Sequence, residues 1–341
     1  MRLLQLCRIA LCAGAVLGFA FRAAAADDVA SFYRSNAVRV IIPASMGGSV
    51  AVYGRLLADH IGRYIPGHPT VVAAAMPGAG GVQSVDYIFN AAPKDGTVIG
   101  EILSPSVLVP MLSGAKFDAR KIQWLGSLAA RPGVVAVWHT ARATTLEQAK
   151  KIPLNFGSTG VGAGNFQIPT LADAVLGTRF KVVMGYPGGA EINLAIEKGE
   201  LDGRFNYWSG WTSAKPDWIR DHRLVFLFRT GPLAPDMPAG LPAFGDLVSG
   251  EARQLVQLAE GPDNIGVGFW TAPGLPADRF SALQKALEET TRDPDFLAEA
   301  QKLRTPISLV PAADLTKIVS ALYAAPPSIV DQFKELTTPK H

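Results

Sequence analysis

The chain has 341 residues, 48% hydrophobic and 18% charged, enough for two compact domains that each bury a core. Residues 1–26 read as a secretory signal peptide. Arg2 and Arg8 flank its start, Ile9 to Phe21 is apolar but too short to span a bilayer, and Ala23 to Ala26 offer small-residue cleavage before Asp27. That segment holds three of the 32 basic residues and no acid, so the 29 basic residues beyond it face 29 acidic ones and the formal +3 falls to zero. A chain without basic excess lacks the electrostatic footprint of a nucleic-acid binder. Both cysteines, Cys7 and Cys12, leave with the segment, so the exported protein is expected to have no disulfide and no thiol nucleophile.

The first element is a β-branched strand, Val38 to Pro43, followed by Ala44-Ser45-Met46-Gly47-Gly48-Ser49 and a stretch from Val50 to Ile61 whose apolar residues recur at helical spacing. A turn of small residues leaves backbone N–H groups uncovered, and the first helical turn adds unpaired N–H groups and the positive end of its dipole. Such a turn holds an anion without a basic side chain, which makes Ser45, Gly47, Gly48, Ser49, Val50 and Ala51 candidate ligand contacts. A second strand, Pro69 to Met76, runs into Pro77-Gly78-Ala79-Gly80-Gly81 and a helix from Val82 to Ala91; a third, Thr97 to Leu103, ends at Ser104. Successive strand–loop–helix units put their loops at one edge of a parallel sheet, where ligands of open α/β sheets bind. Gly78, Ala79, Gly80, Gly81 and Ser104 therefore join the candidates. Gln83 stands where a dinucleotide fingerprint needs its third glycine, and no loop has the spacing of a phosphate-binding P-loop, so no cofactor is expected.

The middle of the chain repeats the arrangement. A strand from Gly133 to Trp138 and a short helix capped by Thr145 precede Leu154 to Phe156, which leads into a glycine loop. Its Ser158, Thr159, Gly160, Gly162, Ala163, Gly164 and Asn165 form a concave set of N–H and hydroxyl donors suited to a carboxylate. The strand Lys181 to Tyr186 runs through Pro187, Gly188 and Gly189 into a helix from Ala190. The run Leu201 to Trp208 brings Asn206 and Tyr207, with Trp211 and Trp218 close behind; clustered aromatics of this kind line a pocket or serve as half-buried packing, and Tyr207 is the stronger pocket candidate. Leu224 to Phe228 is a further strand, and residues 232–242 form a proline-rich loop. Ile265 to Ala272 returns the chain to its first part, before helices from Pro276, from Asp293 and over Leu315 to Tyr323. The expected fold is α/β in two lobes, each a mostly parallel sheet flanked by helices, joined by a two-strand hinge with crossings near Ser127 and Pro262. Residues 27–127 with 262–341 make the first lobe and residues 128–261 the second.

No catalytic signature emerges. His60, His68, His139, His222 and His341 form no H-E-x-x-H pattern and no metal-ligand pair at helical spacing, and no G-x-S-x-G elbow exists.

Several fragments, in order, carry a resemblance: Val38 to Arg55; Ile65-Pro66-Gly67-His68-Pro69; Met76 to Gly81; Ala92-Pro93-Lys94-Asp95-Gly96-Thr97; Trp124 to Ser127; Gly185 to Glu191; Glu197 to Gly203; and Asp293-Pro294-Asp295-Phe296. Together they resemble the extracytoplasmic solute receptors of tripartite tricarboxylate transporters, the Bug or TctC family, over nearly all of the mature chain. The resemblance implies a type II-like periplasmic-binding-protein fold whose lobes close over a small carboxylate, mainly through loop amides and waters. It also implies a periplasmic location, no enzymatic activity, no metal and a monomer. The implied partners are a small organic mono- or dicarboxylate and the membrane subunits of such a transporter. The chain departs from the family's first loop where an aromatic residue and an aspartate are replaced by Val50 and Ala51, so the expected ligand lacks an ammonium group, with Val50 and Tyr207 favouring hydrocarbon bulk. The rival readings are an exported sensory or scaffolding protein with a degenerate site, and a secreted α/β hydrolase using Ser158 or Ser104.

Overall fold

The computed structural model describes residues 28–338; the expected signal peptide lies outside them. Eleven strands form two sheets. The first sheet contains β1 (Val38–Ile42), β2 (Val71–Ala75), β3 (Val98–Glu101) and β4 (Gln123–Ser127). The second is built entirely from the middle of the chain: β5 (Gly133–Trp138), β6 (Leu154–Gly157), β7 (Phe180–Val183), β8 (Gly203–Tyr207) and β9 (Leu224–Thr230). The chain then returns to the first sheet with β10 (Gly268–Thr271) and the short β11 (Val310–Pro311). Strand order is β11-β4-β10-β3-β1-β2 in one sheet and β7-β6-β8-β5-β9 in the other.

Both sheets are mixed, where the sequence pattern predicts mostly parallel ones. β1 pairs in parallel with β2 and β3, and β6 with β7 and β8, whereas β10 is antiparallel to β3 and β4, and β5 is antiparallel to β8 and β9. The reversed strands β5 and β10 each follow a crossing between sheets, and β11, antiparallel to β4, runs in the same direction as β10. A chain that leaves one sheet at its C-terminal edge and enters the other at the edge facing it has to run backwards there. The crossings also pair with each other: Leu128 N donates to Val267 O, Val267 N to Ala129 O and Arg131 N to Asp263 O, each at 3.0 Å. Gly266 lies in this ladder at φ +59, where a Cβ would stand 1.8 Å from Ala129 O, so no other residue fits the close approach.

Side chains alternate across the strands as a period of two requires. Val38 and Val40 face the helix Ser49–Ile61 and the helix Ala277–Thr290, through Leu56, Leu57, Leu283 and Leu287, while Ile41 faces the opposite side. In β5, Val134 and Ala136 pack against Ile192, Trp211 and Trp218, and Val135 and Val137 belong to a cluster that runs unbroken from the first sheet to the second. That cluster gathers the helices Val82–Asn90, Gly164–Leu176, Gly250–Glu260 and Pro327–Thr337. Three of these were not legible as helices. Gly164–Leu176 opens on glycine and contains Pro169, which lacks the N–H that would reach Asn165 O. The last, Pro327–Thr337, packs on Gly164–Leu176 and Gly250–Glu260 as well as on Val109–Ser113, so the C-terminus touches elements of both halves. Thr145 caps its helix as expected, accepting from Gln148 N at 3.2 Å. Among the described residues no helix is long and apolar enough to cross a membrane.

Candidate ligand-binding cleft

The loops after β1, β2 and β3 face those after β6, β7 and β8, because parallel strands deliver their C-terminal ends to one edge and the crossings turn the two edges toward each other. The loops touch. Ser45 N donates to Pro187 O at 3.2 Å, and Gly80 N to Thr159 O at 2.9 Å. Ser45 Oγ donates to Glu191 Oε2 at 2.8 Å, and the Ser104 and Tyr207 hydroxyls lie 3.4 Å apart. Gly80, at φ +65, approaches so closely that a Cβ there would stand 2.7 Å from both Gly160 O and Ala163 N. Behind this seam remains a cavity of about 40 Å³. That is space for a water or a single carboxylate group.

Of the residues expected from sequence, Gly48, Val50, Thr159, Ala163, Gly164, Asn165, Gly189, Asn206 and Tyr207 line this cavity. Ser45, Gly47, Gly80, Gly160, Gly162, Gly188 and Ala190 lie at the seam where the loops approach one another, and Pro187 supplies its carbonyl there. Gly78, Ala79 and Gly81 shape the turn beside them; Gly81 N donates to Gly78 O at 2.9 Å. Ser158 is turned inward: its hydroxyl donates to Asn165 Oδ1 and accepts from Gly160 N, both at 3.0 Å. Asn165 thus acts as a collector, since Thr159 N also donates to its Oδ1, at 3.2 Å. Tyr186 packs beside the cluster around Trp211 rather than on the cavity wall, and Ala51 is fully buried within its helix and is not part of the wall. The backbone of Ser49 begins that helix.

Five wall residues were not anticipated: Ala44, Leu103, Pro105, Arg204 and Phe205. Arg204 was the one with a readable signal, a cation inside β8, whose five residues are all buried. Its Nη1 donates to Gly189 O at 2.9 Å and Asn193 Oδ1 at 3.2 Å, and its Nε to Phe205 O at 3.2 Å. Burial first, and repulsion from Arg131 second, lower its proton affinity to about 9, still well above neutrality, so the group stays charged.

A second polar cluster lies behind Tyr207. The Arg131 guanidinium stacks on the Tyr207 ring at 4.3 Å and donates through Nε to Ser209 Oγ at 3.3 Å. Asp263 accepts from Thr230 Oγ1 at 2.7 Å, and burial pushes its carboxyl well up, as it does that of Glu101. Burial, then the Asp263 charge, likewise raises the Tyr207 phenol. The cluster therefore ties the cavity's tyrosine to both crossings, through Arg131 at one and Asp263 at the other.

A larger cavity, about 760 Å³, opens on the other flank of the crossings between residues 208–220 with 234–236 and residues 297–307. Its walls are chiefly Pro, Ala, Leu, Ile and Trp, and none of the glycine loops reaches it. Among the described residues no group of His, Cys, Asp and Glu is placed to hold a metal. Ser104 and Ser158 bond to Tyr207 and Asn165, and no described histidine hydrogen-bonds to either.

Two mixed sheets flanked by helices, facing loop edges and a paired crossing define the two-lobed, type II periplasmic-binding-protein fold. Among solved structures the chain is similar to the periplasmic binding protein BugD, with a TM-score of 0.71 and 18% identity over 90% of this chain and 99% of that one. It is also similar to a Rhodopseudomonas palustris protein determined with adipate (TM-score 0.66, 16% identity, 89% of this chain and 97% of that one). A third is MatC from Rhodopseudomonas palustris with bound malate (0.66, 14%, 89% and 99%). At identities of 14–18% the likeness to all three is one of fold. No protein-family model and no curated protein matches the chain.

Proposed function

We propose that this chain is a periplasmic receptor that captures a small organic mono- or dicarboxylate between two lobes and delivers it to the membrane subunits of a tripartite tricarboxylate-type transporter. The observation that carries the reading is the convergence of glycine loops from both sheets on one small polar cavity whose wall contains no Asp or Glu. Donors without an acid favour an anion and leave an ammonium group no carboxylate to pair with on the wall. Adipate and malate in the neighbouring structures support the same ligand class. The lobes, residues 27–127 with 262–341 and residues 128–261, turn about the paired crossings. A cavity of about 40 Å³ does not admit a whole diacid, so the ligand enters a more open form. There the Gly80 amide exchanges Thr159 O for a ligand oxygen, and only the difference in affinity between the open and closed forms drives closure.

Calorimetry of the mature chain with adipate, malate and aspartate tests this. Malate or adipate should bind, with aspartate weaker than malate. Aspartate binding more tightly than malate would overturn the reading of the ligand, and sequencing that finds residues 1–26 retained on the exported protein would overturn the reading of its location.

A further inference from the structure

Resting on the carboxylate reading above, we infer that Arg204 is the charge anchor of the cleft, the group on which a carboxylate of the ligand seats. Arg204 is only 5% exposed and lines the cavity with Gly48, Thr159 and Asn165. Every hydrogen bond described for it goes to a neutral acceptor, the carbonyls of Gly189 and Phe205 and the amide oxygen of Asn193. Its aromatic neighbour, Trp211, is 5.6 Å from the guanidinium carbon, and among the described residues it forms no ion pair. The acid whose charge reaches it, Glu191, accepts instead from Ser45 across the seam.

A buried cation without a counterion is costly, because desolvation is not offset by an opposite charge. The position makes it worse. The Gly189 carbonyl that holds Nη1 opens the helix Gly189–Glu197, so the guanidinium lies at the positive end of a helix dipole, where cations are disfavoured. Both features become favourable once an anion occupies the cavity. The guanidinium charge then has an anion to pair with, and the remaining helix amides and Thr159 add neutral donors around it. This assigns the selective charge to the second sheet and explains how a first loop without an acid or a base still belongs to an anion site. The uncharged loops form the lid and Arg204 the seat.

The alternative is that Arg204 only holds the Gly188–Ala190 turn through Gly189 O. Two substitutions separate the roles: Arg204→Gln retains a hydrogen-bond donor without charge, and Arg204→Lys retains charge without the planar fork. Binding of malate, adipate and the diamides of both is measured by calorimetry on the mature parent and both variants, with thermal melts to confirm folding. The parent should bind at least one diacid and neither diamide. Arg204→Gln should lose about 30-fold or more of that affinity, and Arg204→Lys should stay within about tenfold of the parent, as a charge-assisted contact requires. Arg204→Gln binding the diacid within about threefold of the parent, or Arg204→Lys losing as much as Arg204→Gln, would remove the anchor and leave the receptor reading standing. A parent that binds neither diacid overturns both. If Arg204→Gln does not fold, the lysine variant decides alone, because a turn-holding role predicts loss on losing the fork and a charge role predicts retention.

Discussion

The loops that follow β1, β2 and β3 and those that follow β6, β7 and β8 arise from the same geometry, parallel strands ending at facing edges, yet they bring different chemistry to the cavity. The first set contributes Ala44, Gly48, Val50, Leu103 and Pro105, which offer backbone and hydrocarbon. The second side contributes Thr159 and Asn165 from the segment after β6 and Arg204, Asn206 and Tyr207 from β8 itself, which offer hydroxyl, amide and guanidinium groups. The two cavities teach a related lesson: the larger one has room but none of the glycine loops, and the one at the loops is small because the loops have closed on each other.

The severest way to break the comparison is to keep the walls apart. Gly80→Val adds bulk where even a Cβ would meet Gly160 O and Ala163 N at 2.7 Å, and it does so at a positive φ that a β-branched residue resists. Diacid binding should fall by about 100-fold or more, the equivalent of roughly 3 kcal/mol. Small-angle scattering should then show a larger radius of gyration than the parent, and an unchanged radius with unchanged affinity would mean that the seam is not where the lobes meet. Next, Asn165→Ala strips the second wall of its collector, leaving Ser158 Oγ and Thr159 N without the oxygen they share. Unsatisfied buried donors of this kind cost about 1–3 kcal/mol, so hydrogen exchange across residues 158–165 should quicken and affinity should drop. Exchange as slow as in the parent would show that the loop is held elsewhere.

The hinge behind the walls should respond to pH. Burial raises the Glu260 carboxyl to about 7, against Gly231 N–H and Arg229, which act to lower it. A raised value in the folded state means the fold prefers the protonated acid. Its contribution is complete below the ordinary carboxylate value and is lost as pH rises through 7, on the order of 3 kcal/mol in all. Melting temperature measured from pH 5 to pH 8 should fall more steeply in the parent than in Glu260→Gln; parallel slopes would rule the group out. The smallest effect belongs to the first wall. Ser45→Ala deletes one partly buried hydrogen bond to the Glu191 carboxylate and should change stability by about 1.5 kcal/mol, the low end for a bond to a charged group because the pair is partly solvated. Affinity should move less than in Asn165→Ala, and a larger loss from Ser45→Ala would reverse the contrast between the walls.

The amino-acid sequence by itself determined the parts whose physics is local. β-branched runs made β1 and β5, glycine placed the turns after β1, β2 and β6, and Thr145 and Asp293 capped their helices, because spacing, φ freedom and capping act within a few residues. Tertiary structure decided the rest. The antiparallel entry of β5 and β10 follows from which edges face each other, which no single segment encodes. Helices Gly164–Leu176 and Gly250–Glu260 are held by packing against Pro327–Thr337, which overrides the glycine and proline in the first. Ala51 carries a pattern that reads as a site position yet is buried in its helix, whereas Arg204 reads as one charge in a strand yet lines the cavity. Burial and counterion balance are properties of the assembled walls, and only there does one arginine become a buried cation with no acid to pair with.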